Sequence, residues 1–535
     1  MNMKMEQKDN HKFTKSDVVC RLEQIKDKTL LQVDNKGVLD SYEQKKEKGI
    51  VGRIIEQCVF KYPSDNNPDA DLLIDEEKVE LKTTGVIEKK KGAGEYVAKE
   101  KLSIAAVSIY KLSRQKFCTS HFWKKMEHLL MVFYLYKKRE SNQSLVGQYK
   151  HFKFIDYAFF SPTKSEAEEL ENDWQKIHDF VEKIIDEEKN ERDEEKKKKN
   201  IKDSYIQNHG KIRREGLTYL TLAPVYPPRF QLKKDYVTAI VQRSLNQEKN
   251  GDALKDFPKM DSLSDVWDEL SHIAKKYEGW SLSEIAKDKD VHINGGGSKN
   301  VAEQVLIKLF SEKCEAKKLN QIETFYSKSI IAKTVVYKRC FRKKIDAGWR
   351  LSEDMKMLPV DFEDLLKKKI VRENMSDELE ELEEIKKIDE FRYEDSNVYE
   401  FFSQHEFICI IFERPSEKSP LKDNIFRGFK RLSFPQEYIN GDGENTLQSL
   451  WNDSRNKIFK KTLTEVSYQR NGKTYTAPNF LKASENVFFF RGSAPDSSEK
   501  NKKERIPGID IKMLPQYLWV SRRLIYQLLE SQNYL

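Results

Sequence analysis

The stretch Asn67–Val86, NPDADLLIDEEKVELKTTGV, gathers residues whose types and spacing can do chemistry. In an extended strand, side chains alternate between faces. Val79, Leu81 and Thr83 then point into a core, while Glu80, Lys82 and Thr84 point together to the other side. A Glu and a Lys two apart on one strand face, with Asp69 and Asp71 on the turn leading in, is a set suited to metal-assisted hydrolysis of a phosphodiester. Two carboxylates hold a hard divalent cation, here Mg²⁺, through oxygen ligands. The cation polarises the phosphate and lowers the pKa of a bound water, and the ammonium orients that water and offsets developing negative charge. Charge also alternates on the wet face of many ordinary strands, and 34% of this chain is charged, so the set must be weighed with its surroundings.

The elements that would position it can be read on either side. Upstream, in Lys48–Phe60, the residues Ile50, Val51, Ile54, Ile55, Cys58 and Val59 form one helical stripe. Glu56 falls roughly opposite, either as a solvated side chain or as a third carboxylate over the same cleft. Strand patterns cover Val79–Thr84, Leu129–Tyr136, Phe152–Phe160, Thr218–Leu222, Thr334–Lys338, Phe407–Phe412 and Val487–Arg491. Helical patterns lie between them, at Ile50–Phe60, Lys164–Glu188, Tyr236–Leu245 and Val301–Phe310. The alternation predicts an α+β (mixed α/β) architecture. Asn246–Asp261 is polar, contains Gly251 and Pro258, and reads as a linker. Asp186–Asp203 reads as a solvated helix extension or loop, and Ser376–Asp395 as an amphipathic helix carrying Leu379, Leu382, Ile385 and Ile388.

Composition narrows the classes. With 535 residues the chain exceeds a single core, so two large domains or three smaller ones are expected. Its 29 Phe, 23 Tyr and 7 Trp argue against disorder over most of the length. The longest apolar run, Leu129–Tyr136, is too short to cross a bilayer, and the first residues have no apolar core, so a cytoplasmic protein without a membrane partner is expected. The 6 cysteines show no CxxC pair, which argues against a zinc ribbon. A net charge of +8 allows a nucleic-acid partner without requiring one.

Lys48-Gly49, then Gly52 and Glu56 on one helix, then an Asp, then VELKT resembles the MutH family, whose strand signature is PD-(D/E)xK. That family comprises GATC-directed nicking enzymes of mismatch repair and related type II restriction endonucleases. The likeness continues in Thr119–Met126, in the acidic helix holding Asp173-Trp174, and in Arg229–Val241. EGWSLSEIAKDKDVHI, FKRLSFPQEYINGDGENTLQSLWND and LWVSRRLIYQLL resemble the C-terminal half of the two-domain, GATC-cutting members. In those members a second MutH-like half lacks catalytic residues and binds another copy of the site.

The resemblance implies a restriction-endonuclease-like domain over 16–245, a linker over 246–261, and a MutH-like DNA-binding or effector domain over 262–535. It implies a Mg²⁺-dependent, sequence-specific double-stranded DNA endonuclease of restriction, anti-phage type. Asp71 and Glu80 would ligate the metal with the Leu81 carbonyl, Asp69 being the alternative to Asp71. Lys82 would orient the water, Glu56 would assist, and Lys48 and Lys125 would contact phosphate. Arg229, Lys233, Lys234 and Arg491 are the expected DNA contacts. The implied partners are duplex DNA, a DNA-induced homodimer or a loop between two sites, and a cognate methyltransferase or defence partner. A partner-directed or modification-dependent nuclease, or a DNA-binding sensor, is the alternative function. Two features depart from the family: Asp71 lies nine residues before Glu80, two more than usual, and the loop after Ala223 is shorter than the family's reading loop, so GATC is inherited only weakly.

Other features carry less. His121 and His128 are seven apart and lack the HExxH metal spacing. Gly295–Ser298 precedes a helix without the GKS/T of a nucleotide loop and reads as a flexible turn.

Overall fold

The computed structural model describes residues 11–40, 49–63, 70–88, 95–137, 145–212, 216–223, 227–246, 262–293, 295, 299–310, 318–339, 349–366, 368–372, 386–390 and 392–535, except 442, 471–472, 495, 497 and 507–508. Helices and mixed sheets together make an α+β architecture, in two compact units. The first takes residues 1–266 with 320–329, and the second takes 267–312 with 330–535; the short piece between is shared.

The first unit runs through β1 (Lys12–Phe13), β2 (Leu72–Ile74), β3 (Glu77–Glu88), β4 (Tyr96–Ala98), β5 (Leu102–Ala106), β6 (Leu129–Leu135), β7 (Lys153–Phe160), β8 (Leu220–Leu222) and β9 (Arg229–Leu232). The main sheet has the order β1-β2-β3-β6-β7, and β4 pairs the far end of β3. β3 and β6 are parallel, with Glu80 opposite Leu129 and Val86 opposite Leu135. The apolar run LLMVFYL has to be the middle strand, because both its faces are covered. Leu129, Met131 and Phe133 enter one core, and Leu130, Val132 and Tyr134 enter another. β3 divides in the same way, with Val79 and Leu81 in the second core and Val86 in the first. Strands β5, β9 and β8 form a separate antiparallel sheet.

β2 and β3 form a hairpin in which Ile74 pairs Glu77 across Asp75 and Glu76. Both turn residues have positive φ, 47° and 69°. That is the type I′ geometry whose twist matches a two-residue hairpin. This hairpin lies between Asp71 and Glu80. Upstream, Gly49 opens the Ile50–Ile54 helix at φ 90°, a conformation that suits a residue without a Cβ. The helix then widens into a π-helical turn over Ile55–Phe60 that begins just before Glu56.

The segment 320–329, expected in the second domain, packs with the first. Lys328 is buried, and its amine donates to the Tyr219 hydroxyl at 2.9 Å and lies over a ring that stacks on Tyr236. The helix expected over Ser376–Asp395 is also corrected where it is described. Lys386–Glu390 is a strand paired with Lys368–Arg372, so Ile388 lies opposite Ile370. Leu379, Leu382 and Ile385 lie outside the described residues.

The second unit follows the same path as the first. Strand Ile330–Arg339 runs parallel to Glu406–Arg414, as β3 does to β6. Glu406–Arg414 is antiparallel to Ile425–Leu432, as β6 is to β7, and both pairs carry an irregularity, at Ile411/Phe412 and at Phe133/Tyr134. Trp349–Leu351 pairs the far end of Ile330–Arg339, as β4 pairs β3. A second sheet sets Gln516–Val520 between Met355–Pro359 and Phe488–Gly492, as β9 lies between β5 and β8. A helix follows at once in each case, at Lys234–Asn246 and Arg522–Glu530.

Candidate active site

Glu80 and Lys82 share the β3 face that meets the His121–Met126 helix. Ser120 caps that helix by accepting from the Trp123 amide at 3.0 Å. Phe122 and Met126, one turn apart, are buried in the first core, which sets the helix's rotation. Lys125 then reaches back to β3. Its amine lies 2.8 Å from Glu80 Oε1, and the Lys82 amine lies 2.6 Å from the same oxygen. Glu80 is 1% exposed. Its other oxygen, Oε2, is buried without a hydrogen-bond partner among the described residues.

Asp71 joins the pair through the hairpin. Its Oδ2 accepts from the Leu81 amide at 2.9 Å. Its carbonyl faces His11 Nδ1 at 2.7 Å, and β1 pairs with β2 immediately after it. Burial, and then the Glu80 charge, push the Asp71 carboxyl up to about 6, against the pull of Lys82, Lys125 and the Leu81 amide. His121, one turn before Lys125, is also in the field of this cluster. Burial and the Lys125 charge hold its imidazole below the ordinary value, while Glu80 works the other way. Sequence reasoning set His121 aside as a surface or core histidine; its i, i+4 spacing to Lys125 was the available signal.

The structure therefore brings Asp71, Glu80, Lys82, Leu81 and Lys125 together. Lys48 and Asp69 lie outside the described residues. Glu56 is on the helical segment packed against the opposite face of β3, where a Cβ at Gly52 would sit 3.8 Å from Thr83 Oγ1. Among the expected DNA contacts, Arg229 and Lys234 are exposed. Arg491 is half-exposed, with Nη1 3.0 Å from Asp354 and its guanidinium 3.7 Å above the Trp519 ring. Lys233 is corrected. It is 3% exposed, its amine donates to the Leu217 carbonyl, and its charge acts on buried Asp173. It fastens strand β8 and cannot meet a backbone phosphate.

A buried carboxylate with an unpartnered oxygen, beside a second, half-buried one, fits a hard divalent cation. Asp71, Glu80 and the adjoining Leu81 main chain are the residues here that would hold it. A second gathering of metal-capable side chains, His178, Asp179 and Glu182, lies on one turn of a helix at the surface, where acidic groups collect without an ion.

The register of the second unit shows what stands at the corresponding positions. Matching the two irregularities sets Phe407 against Leu129, hence Ile331 against Glu80 and Lys333 against Lys82. The same offset sets Tyr337 against Val86, and each is the first residue paired to the short antiparallel strand. The acidic position is lost and the lysine is retained. The helix preceding Glu406–Arg414 offers Phe401 to Ser403 where the first unit has Lys125.

Residues 60–173, which contain Asp71, Glu80, Lys82 and Lys125, match the family described as the DNA mismatch repair enzyme MutH. Over 434 residues the chain is 22% identical to the type II restriction enzyme Sau3AI of Staphylococcus aureus, covering 79% of this chain and 76% of that one.

Proposed function

We propose that this chain, a MutH-like restriction endonuclease, hydrolyses phosphodiester bonds of double-stranded DNA at defined sequences with Mg²⁺ as its cation. The observation that carries the reading is Glu80, buried with two lysine amines on one oxygen and no described partner on the other, beside Asp71. Asp71, Glu80 and the Leu81 carbonyl would hold the cation, which would supply positive charge to the scissile phosphate and acidity to a water. Lys82 holds that water in line with the phosphorus and steadies the charge that develops. Lys125, on the other side of Glu80, meets the phosphate, as would Lys48, whereas Glu56, on the helix packed against the opposite face of β3, takes no part in this set. In-line attack leaves 5′-phosphate and 3′-hydroxyl ends.

The second unit, with Ile331 in place of the carboxylate, binds a further copy of the site and acts as an effector. Arg491, Arg229 and Lys234 contribute DNA contacts. One catalytic set per chain then calls for a DNA-induced homodimer, or a loop between two sites, to break both strands. A cognate methyltransferase and an anti-phage role in the cytoplasm complete the reading.

Lys82→Ala tests it. The variant should keep its melting temperature and duplex affinity while plasmid cleavage falls by about a hundredfold or more. Undiminished cleavage by Lys82→Ala would falsify the site. The wild type, assayed beside Glu80→Ala with Mg²⁺ and with EDTA on unmethylated and adenine-methylated plasmid, separates a restriction enzyme from a modification-dependent one.

A further inference from the structure

The second unit has a pocket beside the strand position that matches Lys82. It has a volume of about 260 Å³ and is lined by Lys333, Lys356, Ser352, Asp354 and Trp519, among others. Lys333 occupies the Lys82 position on the strand. Its amine donates to the Lys356 carbonyl at 2.7 Å. The Lys356 amine donates to Ser493 Oγ at 2.9 Å and lies 3.3 Å from the Tyr517 ring centre. The hydrogen-bond partners of both amines are thus neutral. Asp354 on the rim is engaged elsewhere, accepting from Arg491 Nη1 at 3.0 Å and from the Arg522 amide at 3.1 Å.

Two ammonium groups gathered in a partly desolvated pocket repel each other and favour the arrival of an anion. Burial holds the Lys333 amine down at about 8, and the Lys356 charge adds to that, with Cys409 and Glu303 opposing. In the first unit Glu80 supplies the compensating charge to Lys82 and Lys125. Here the equivalent residue is Ile331, and although Glu353 and Asp354 also line the pocket, neither amine has a carboxylate as its hydrogen-bond partner.

We propose that this vestigial site is a phosphate clamp: Lys333 and Lys356 grip one backbone phosphate of duplex DNA that the second unit holds without cutting. The clamp rests on the reading that the second unit binds DNA, and it names the atoms by which it does so. Arg491 and Trp519 stand at its mouth, so the phosphate lies next to a side chain that can reach a base edge. Loss of the carboxylate removes the cation and therefore cleavage, while retention of the lysine keeps the grip.

The test uses the full-length chain in EDTA, so that nothing is cut. Duplex binding is followed by anisotropy across a series of salt concentrations. Removing one lysine–phosphate ion pair lowers the slope of log K against log salt by about 0.9. Lys333→Met and Lys356→Met should each weaken binding several-fold at about 0.1 M salt and lower the slope, and the double variant should flatten it by about 0.9 in all. Lys333→Arg should restore both. Unchanged melting temperatures show that the variants fold. Wild-type slope and affinity in both Met variants would overturn the clamp alone, whereas a wild-type chain that fails to bind duplex overturns the function proposed above.

A second readout identifies the ligand's source. Limited acylation of amines, mapped by peptide mass spectrometry, should modify Lys333 and Lys356 in the free protein, and a duplex should protect them. Protection by inorganic phosphate but not by duplex would make this a free-anion site and overturn the DNA contact.

Discussion

At the scale of the residue, the site depends on how much negative charge can be held in a small buried space. The ordinary Asp carboxyl ionises near 3.8, and Asp71 in the folded chain keeps its proton to about 6. Any stability from that proton is full below the unfolded value and is lost as pH rises through about 6. In EDTA, the melting temperature of the wild type relative to Asp71→Asn should therefore fall between about pH 4 and pH 7. Added Mg²⁺ should reverse the loss, because a ligand bound only by the folded state stabilises it. Since the proton and the cation compete for Asp71, apparent Mg²⁺ affinity should drop about tenfold for each pH unit below about 6. A flat calorimetric titration over roughly pH 5–7 would remove Asp71 from the metal site. Residues of this kind are partly legible in a sequence. Glu80 and Lys82 follow from strand alternation, and Lys125 from family likeness. Lys233 and Lys234 show the limit. Two adjacent lysines look alike in the chain, yet the helix that starts at Lys234 ends the strand alternation and turns Lys233 inward onto Leu217.

At the scale of the element, the carriers of the site are held by polar groups buried away from it. Asp173, on the helix Lys164–Glu187, accepts the amides of Thr218, Tyr219 and Leu220 at 2.7, 2.6 and 2.8 Å and so orders the start of β8. Asn at this position offers one acceptor where three donors converge and leaves Lys233 without its counter-charge. Asp173→Asn should cost about 2–4 kcal/mol, measurable by urea unfolding. The β2–β3 turn should respond in the opposite direction. Glu76 holds φ at 69°, which is uncomfortable for a residue with a Cβ, so Glu76→Gly should raise stability by about 1 kcal/mol and leave cleavage unchanged. Long apolar or amphipathic elements were legible: the Leu129–Leu135 strand and the Lys164–Glu187 helix are where periodicity sets them. The hairpin was not, because its strand β2 has only three residues and its turn carries Asp-Glu in place of Asn-Gly. Ile388 was misread because a spacing of three residues fits a helical stripe and says nothing about a strand pairing with Lys368–Arg372.

At the scale of the whole molecule, the chain draws the same strand path twice and arms it once. No short sequence period shows this, since the common features are hydrogen-bonded registers and two irregularities, which many side chains satisfy. The predicted behaviour is that of an enzyme needing two copies of its target. A plasmid with two sites should be linearised faster than one with a single site at equal site concentration, with the nicked form accumulating on the latter. Equal rates would argue for a chain that acts alone on each site. The salt dependence expected of a protein held by lysine and arginine on phosphates applies to both plasmids alike.

The pairing of β1 with β2 has a further consequence. Two residues, Lys12 and Phe13, together with the His11 ring, tie down the strand that begins next to Asp71. The armed half therefore carries its safety catch near its first residues. A protease that clipped the chain just before Lys15 would free the strand that begins next to Asp71 and take Phe13 off the Phe60 ring, while the core of the second unit stays as it is, turning a cutter into a protein that only holds DNA.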